Sequence, residues 1–322
     1  MNRVYVLGSG FSVEAGAPLA RSVINHIFRT NGLNPQLMEL KSFLDEFLFQ
    51  GKQDWSDDTD LEEVLSRLDL IRHYKPYPGV DYSRVSHFEE LLLAEFTKLL
   101  SPLKLDSSHP SYSAFRSILC GDETIISFNY DLIMEDLLIS TGWGYKYCIE
   151  TVDAKLQGKK PVNLLKLHGS INLYYCPVCG DVFFFSPLVT EHPITEKETD
   201  SLMICKNCSQ PNQQVNLRHF IIAPTLFKSY TMSVLRRLWF KALKSLTEAG
   251  QIYFIGYSLP EADILSYQLF DYARRLAHEK QTVHLINGPQ RKPQRFKQIY
   301  GPNLVNEGIY FEDWVSKDFD FL

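Results

Sequence analysis

The sequence has no excess of basic residues and no long apolar run. Its 33 lysines and arginines are outnumbered by 38 aspartates and glutamates, which gives a net charge of −5. This balance argues against direct nucleic-acid binding, because phosphate neutralisation needs clustered cations. No stretch approaches the roughly 18 apolar residues that a membrane span requires, and Arg3–Leu7 is too short for a secretory signal. We therefore expect a cytoplasmic protein without membrane contact.

Cysteine is also scarce, with six in 322 residues, yet four of the six form two Cys-x-x-Cys pairs. Thiolates two residues apart on a tight turn can reach one tetrahedral Zn²⁺, and two such turns complete the site. Four protein ligands leave no open position, so the predicted zinc is structural and not catalytic. Free thiols beside such a site indicate a reducing compartment. The predicted metal ligands are Cys176, Cys179, Cys205 and Cys208.

Short apolar strands alternate with segments of helical periodicity along much of the chain. This alternation predicts an α/β fold with a doubly wound, parallel, Rossmann-like sheet. The predicted strands are Arg3–Leu7, Thr124–Phe128, Asn163–Leu167, Gln251–Ile255 and Thr282–Ile286. The predicted helices between them are 18–28, 132–141 and 262–278.

Two segments interrupt the alternation. Residues 29–119 are rich in Leu, Glu and Lys at helical spacing, which predicts a helical insert. Residues 173–219 contain the cysteine pairs and Phe183–Phe185, which predicts a small zinc-ribbon module. The Rossmann-like domain is then assigned to residues 1–28, 120–172 and 220–322.

Polar residues follow directly after several of the predicted strands. In doubly wound sheets the crevice outside the carboxyl ends of the strands holds the ligand. Asn129, His168, Ser258 and Asn287 all take such positions. Gly8-Ser-Gly10-Phe-Ser12 follows the first strand, where glycines let a backbone approach a phosphate group. The alternative for this loop is a tight turn without a ligand.

Three side chains near the second and third predicted strand ends are candidates for chemistry. His168 titrates near neutrality and can act as a general base or polarise a hydroxyl group, although a lone histidine is more often structural. The Asn129 amide can orient a water molecule, or Asn-Tyr-Asp can form a plain turn. Asp131 can also cap the helix that begins near Leu132.

Taken together, these motifs resemble the sirtuin family of NAD-dependent enzymes. The resemblance implies NAD⁺ in an inverted pose, with nicotinamide directed towards the catalytic residues Asn129, Asp131 and His168. It places the adenosine ribose near Ser258 and Asn287. The cofactor-binding residues that the resemblance implies are Gly8, Ser9, Gly10, Phe11, Ser12, Gly256, Ser258 and Asn287.

One departure from the family pattern bears on the reaction. Protein deacylases of the family carry a Gly-Ile-Pro-Asp-Phe-Arg-like stretch where this chain has Ala15-Gly-Ala-Pro-Leu-Ala-Arg21. Together with Ile222-Ala-Pro-Thr225 and Gly256-Tyr-Ser-Leu-Pro260, the variant is similar to a bacterial sirtuin-like subfamily found in anti-phage defence. That likeness implies an NAD⁺ glycohydrolase that releases nicotinamide and ADP-ribose.

Three other activities stay open at this point: an NAD-dependent protein deacylase, a non-catalytic sensor of NAD or ADP-ribose, and an ADP-ribosyl transferase. An unregulated NAD⁺ hydrolase would be toxic to its own cell. We therefore expect regulation by homo-oligomerisation, or by a separate sensor or translocase-type ATPase partner. The ATPase is implied by the resemblance alone.

Overall fold

The computed structural model is built around a seven-stranded parallel sheet. It describes residues 2–30, 34–50, 56, 59–106, 108–153, 161–185, 204–210, 213–222, 232–261, 263–278, 280–289 and 293–317. The strand order is β10-β9-β8-β1-β2-β4-β3, and each neighbouring pair is parallel. The strands are β1 Arg3–Leu7, β2 Thr124–Ser127, β3 Tyr145–Lys146, β4 Val162–Lys166, β8 Gln251–Ile255, β9 Thr282–Ile286 and β10 Leu304–Asn306. The predicted α/β class is confirmed.

The central position of β1 explains its composition. It pairs with β2 on one side and β8 on the other, and Val4, Tyr5, Val6 and Leu7 are all buried. Strands covered on both faces read as continuous apolar runs and not as an alternation. The chain builds outward from β1 to β2 and β4, then returns to place β8 on the other side of β1. This reversal makes the β1–β8 boundary the topological switch point, where doubly wound folds bind ligands.

The helices begin and end near the limits that the sequence predicts. Helix α7, for example, covers Ile133–Ser140, and α10 covers Ile264–Leu276. Among the described helices, none combines the length and apolar character needed to cross a membrane. The helices are α1 Ser9–Ser12, α2 Ala20–Thr30, α3 Pro35–Phe47, α4 Leu61–Tyr74, α5 Tyr82–Leu100, α6 Pro110–Ile118, α7, α8 Glu150–Asp153, α9 Ser233–Glu248, α10, α11 Gln294–Tyr300 and α12 Phe311–Val315.

The contacts within the chain divide it into two units. The first comprises Met1–Ala15, Lys104–Ile221 and Tyr230–Leu322, and it contains the parallel sheet. The second comprises Gly16–Leu103 with Ile222–Ser229 and contains helices α2 to α5. Within the second unit, Asp60 and Asp81 cap the N-termini of α4 and α5. The domain boundaries given in the sequence analysis stay predictions.

A second, three-stranded sheet lies in the segment that contains the cysteines. It consists of β5 Gly169–Tyr175, β6 Val182–Phe184 and β7 Arg218–Ile221, in the antiparallel order β6-β5-β7. Gly169 has a φ of +81° and lies so close to β7 that an added Cβ would be 1.8 Å from the carbonyl oxygen of Phe220. Only glycine fits there, directly after His168.

Close backbone packing joins the loops that follow β1 and β8. The N–H of Gly10 donates to the carbonyl oxygen of Gly256 at 3.0 Å. A Cβ on Gly8 would lie 2.6 Å from the Cα of Tyr257, and one on Gly10 would lie 2.7 Å from the Cα of Gly256. Gly256 itself has a φ of +63°. The glycines are therefore required by contact between two backbones, a cause that the sequence analysis did not identify.

Replacing Gly256 with alanine should destabilise the protein more than replacing a glycine of similar φ that has open space around it. The new Cβ would lie 2.4 Å from the backbone nitrogen of Phe11, so the β1 loop has to move. We expect a loss of at least about 2 kcal/mol in the free energy of unfolding, measured by urea denaturation.

The matched control is Gly142→Ala. Gly142 has a similar positive φ of +77° but nothing within 4 Å of an added Cβ, so it should cost only about 1 kcal/mol of backbone strain. Equal losses for the two variants would contradict the packing role of Gly256.

Candidate active site

The carboxyl edge of the parallel sheet gathers most of the residues singled out from the sequence. The glycine loop follows β1, Asn129 follows β2, His168 follows β4, Gly256 follows β8 and Asn287 follows β9. Parallel strands place all their carboxyl ends at one edge, so these residues meet although they are far apart in sequence.

Asn129 forms the tie between β2 and the glycine loop. Its side-chain amide nitrogen donates to the carbonyl oxygen of Gly8 at 2.9 Å and to the hydroxyl of Ser12 at 3.1 Å. Its backbone N–H donates to the Ser127 hydroxyl at 3.2 Å. Asn129 is 8% exposed. Both amide hydrogens are thus used to hold the loop, and the amide oxygen is the atom available for a ligand or water.

An aromatic cluster in the core holds the glycine loop in place through Phe11. The side chain of Phe11 is buried and packs against Tyr112, Phe115 and Phe311 at ring-centroid distances of 5.0 to 5.6 Å. The Tyr112 hydroxyl donates to the Phe11 carbonyl oxygen at 2.8 Å. Phe11 therefore supports the loop through its core packing, whereas Ser9 is exposed. Helix α1 is only four residues long, so it offers little helix dipole to a phosphate group.

His168 is buried between aromatic rings and a carboxylate. Its ring meets Phe128 edge-on, with centroids 4.9 Å apart, and lies 6.1 Å from the ring of Tyr130. Its Nε2 is 3.6 Å from Oδ2 of Asp263. The backbone N–H of Leu167 donates to the Ser127 carbonyl oxygen at 3.0 Å, which continues the β2–β4 pairing up to the histidine.

A buried ion pair supports the Asn129–Asp131 turn. Lys166 and Glu135 are 1% and 2% exposed, with Nζ and Oε1 3.1 Å apart. Lys166 also donates to the backbone carbonyl oxygen of Asp131 at 2.6 Å, and the Tyr147 hydroxyl donates to Glu135 at 2.8 Å. Burial raises the pKa of the Glu135 carboxyl, although Lys166 and Tyr147 act in the opposite direction. The pair holds the turn in place from beneath.

Asp131 lies just before α7 and contacts its first residue. Its Oδ1 accepts a hydrogen bond from the backbone N–H of Ile133 at 3.1 Å. Asp131 is 5% exposed. The N-cap of α7 is Leu132, whose side chain makes no capping hydrogen bond, so Asp131 lies one residue before the cap position that the sequence analysis gave it.

On the other side of β1, the loops after β8 and β9 are joined to each other. The Asn287 amide donates to the Tyr257 carbonyl oxygen at 3.3 Å, and the Tyr257 ring stacks on Phe128 at 4.3 Å. Ser258 is exposed on the same loop. This stacking links the β8 loop to β2 and therefore to the neighbourhood of His168.

The sequence analysis missed Asp263, Lys166 and Glu135. Asp263 lay inside a predicted helix, and the signal for it was an Asp-x-x-Ser pattern, which is typical of a helix N-cap. The signals for the other two were charges within apolar runs, a single one in Leu-Leu-Lys-Leu and an adjacent pair in Ile-Met-Glu-Asp-Leu. A buried charge needs a partner, but sequence does not say which one.

The four paired cysteines are positioned to bind a metal ion. Their sulfur atoms all lie within 4.8 Å of one another, and the Cys179 and Cys205 sulfurs are 3.9 Å apart. Ligands at the Zn–S distance of ~2.3 Å on a tetrahedron are separated by roughly 3.8 Å, so the cluster fits such an ion. Cys176 and Cys205 lie in a small core with Leu217.

The two cysteine turns have the same backbone geometry. Gly180 N–H donates to the Cys176 carbonyl oxygen and Ser209 N–H to that of Cys205, both at 2.9 Å. Burial opposes ionisation of the Cys176 thiol, but N–H donors from Cys179 and Val178 outweigh it and lower its pKa to about 7. A thiolate is the form that binds metal.

No family model and no curated protein matches this chain. Among solved structures it is similar to a sirtuin studied for the basis of its substrate affinity, at 13% identity over 98% of this chain and 91% of the other, with a TM-score of 0.47. It is also similar to a mutant Sir2 homologue in complex with ADP-ribose, at 15% identity, 98% and 88% coverage and a TM-score of 0.49.

A Sir2 structure bound to an acetylated peptide is 15% identical, over 98% of this chain and 90% of the other, with a TM-score of 0.41. These identities and scores are low. The chemistry of this chain must therefore be worked out from its own residues, of which Ala223–Thr225 in one of the motifs lie outside the described ranges.

Removing the charge of Lys166 should be strongly destabilising. Lys166→Met leaves the buried Glu135 carboxyl without its partner, and we expect a loss of about 3–5 kcal/mol in the free energy of unfolding. The pKa of Glu135 then rises further above its unfolded value, so the folded state binds the proton more tightly. Stability of this variant should therefore fall as pH rises from mildly acidic to mildly alkaline, measured by urea denaturation.

Two controls separate this effect from a general loss of packing. The double variant Lys166→Met, Glu135→Gln should recover part of the stability, because no buried charge remains. Lys244→Met removes an exposed pairing with Glu248 at 3.8 Å and should change stability by less than about 1 kcal/mol. A small effect of Lys166→Met would show that the pair is unimportant.

The cysteine cluster can be tested by metal content. Wild-type protein should contain close to one metal ion per chain by elemental analysis, and Cys205→Ala should lose it together with several degrees of thermal stability. Cys120, an exposed cysteine outside the cluster, provides the control, since Cys120→Ala should retain the metal. Unchanged metal content in Cys205→Ala would refute the site.

Proposed function

We propose that this chain is a sirtuin-like NAD⁺ glycohydrolase that cleaves the bond between nicotinamide and ribose and releases ADP-ribose. One observation carries the proposal. The Asn129 amide is fixed against Gly8 and Ser12 with its oxygen left to accept a hydrogen bond, and the buried His168 follows the neighbouring strand at the same sheet edge.

The protein must stabilise a developing positive charge and position a water molecule. As the bond to nicotinamide breaks, positive charge develops on the ribose ring, and a water molecule must reach the opposite face of the anomeric carbon. We assign the orientation of that water, or of the ribose hydroxyls, to the amide oxygen of Asn129. A neutral amide is suited to this role because it is not consumed.

His168 accepts the proton that the attacking water loses. An imidazole is the side chain whose ordinary pKa suits proton transfer near neutral pH. The Asp131 carboxylate, held at the start of α7, supplies negative charge that stabilises the cationic ribose. In this proposal the backbone of the glycine loop and of Gly256 contacts the phosphates of NAD⁺. Ser258 and Asn287 then lie near the adenosine ribose.

The departure at Ala15–Arg21 favours hydrolysis over deacylation. The stretch Ala15–Arg21 that follows the glycine loop has no Asp-Phe pair, and this pair is part of the pattern that the deacylases of the family carry at that place. A deacylase acting on acyl-lysine is the second candidate, and a non-catalytic NAD or ADP-ribose sensor is the third.

We propose zinc as the ion for the cysteine cluster, with a structural role only. Four thiolates leave it no open coordination position. We further propose a cytoplasmic effector of anti-phage defence, held at low activity until a homo-oligomer or a separate ATPase-type partner releases it. The reason is that uncontrolled loss of NAD⁺ would kill the cell.

The catalytic assignment is tested by substitution. Purified wild-type protein, at concentrations that favour self-association, should convert NAD⁺ to nicotinamide and ADP-ribose in equal amounts. Asn129→Ala and His168→Ala should each lower that rate at least about 100-fold, since each removes a group that contacts the reacting water. Liquid chromatography of the products measures both rates.

His284→Gln is the matched control. His284 lies within β9, with its Nδ1 2.9 Å from Glu307, and it is not part of the proposed site. This variant should retain wild-type cleavage. Circular dichroism should show both Asn129→Ala and His168→Ala folded, and wild-type rates in these folded variants would remove the assignment.

A further inference from the structure

We infer that Asp263 is a positioning residue for His168, whose carboxylate fixes the orientation and protonation of the imidazole ring. The inference rests on the proposed function, since it concerns the same histidine. Oδ2 of Asp263 and Nε2 of His168 are 3.6 Å apart, and the two side chains are 1% and 8% exposed. Catalytic hydrogen bonds are often this long before substrate binds.

Asp263 is itself held firmly in place. Its Oδ2 accepts hydrogen bonds from the Tyr257 hydroxyl at 2.7 Å and from the Ser266 hydroxyl at 2.6 Å. Its Oδ1 accepts from the backbone N–H of Ser266 at 3.4 Å, at the N-terminus of α10. These donors and the helix dipole stabilise a negative charge on the carboxylate.

The loop that carries Asp263 is constrained relative to His168. Leu259 has a φ of +52°, which is rare for a residue other than glycine. Arg295 donates to the carbonyl oxygens of Leu259 and Pro260. Tyr257 stacks on Phe128, whose ring meets His168 edge-on. The carboxylate and the imidazole are therefore linked through a continuous set of contacts.

The chemical consequence concerns the two ring nitrogens. A carboxylate beside one nitrogen keeps the proton on that nitrogen, so the other has its lone pair available as the base. When water attacks the anomeric carbon, the carbon–nicotinamide bond breaks and the water proton passes to the second nitrogen. Asp263 then stabilises the resulting imidazolium, which later returns the proton to solvent.

A purely structural role for Asp263 predicts something different. As an N-cap it only needs an oxygen that accepts from the start of α10, and Asn serves that purpose about as well as Asp. Asp263→Asn therefore retains the cap and removes the charge. Among the described residues, the ionisable side chains in contact with the pair include Tyr257 and Tyr130, and Arg295, in helix α11, binds the loop that carries Asp263. All three are unchanged in the variant.

The test is an NMR titration of the His168 ring in the full chain, without NAD⁺. The His168 signal, assigned by its loss in His168→Gln, should titrate at least about one pH unit lower in Asp263→Asn than in wild type, because a nearby negative charge is gone. Ser266→Ala, which removes a donor and keeps the carboxylate, should titrate close to wild type. Equal titration midpoints in wild type and Asp263→Asn would overturn the inference.

A second measurement uses the wild-type protein alone, so it does not depend on whether a variant folds. Nitrogen-15 shifts of the wild-type ring report which nitrogen carries the proton in the neutral form, and we expect Nε2, which faces Asp263. A proton on Nδ1 would overturn the inference. Neither measurement involves cleavage, so a protein that leaves NAD⁺ intact would refute the proposed function while the ring measurements still decide the role of Asp263.

Discussion

The site depends on the close approach of two backbone loops at the switch point of the parallel sheet. Gly8 and Gly10 after β1 pack against Gly256 and Tyr257 after β8. The backbones are so close that none of the three glycines could carry a side chain. The Asn129 amide then fastens the first loop to β2. Strain at one of these contacts would be transmitted to the others, because the loops share their hydrogen bonds. This edge of the sheet is thus one packed unit and not a set of independent loops.

Two buried pairs of ionisable side chains lie at that edge and have different consequences. Lys166 pairs with Oε1 of Glu135, whose Oε2 is buried without a hydrogen-bond partner among the described residues, and Lys166 supports the turn that contains Asp131. Such a pair adds little net stability compared with apolar packing, yet losing one partner is costly. His168 and Asp263 form a looser pair, and we propose that it determines which ring nitrogen of the imidazole carries the proton. The first pair keeps the geometry of the Asp131 turn, and we propose that the second sets the protonation of the imidazole.

The sheet was accessible from the sequence because apolar runs flanked by turn residues are a strong local signal. Arg3–Leu7, Gln251–Ile255 and Thr282–Ile286 match the observed strands residue for residue. The partners within the site were not accessible, because Asp263 lies 95 positions beyond His168 in the chain and only the fold brings them together. The sequence located the glycine loop directly after β1 but did not show why glycine is needed there. Packing against another backbone selects glycine at the same positions as phosphate binding does.

The central claim is that this sheet edge cleaves NAD⁺ with water as the only other reactant. The most direct measurement compares nicotinamide and ADP-ribose formed from NAD⁺ by the purified protein, at concentrations that favour self-association, with and without an acylated lysine peptide. The account predicts equal amounts of the two products, no acyl-ADP-ribose and no dependence on the peptide. Release of nicotinamide only when the peptide is present would contradict it and establish a deacylase.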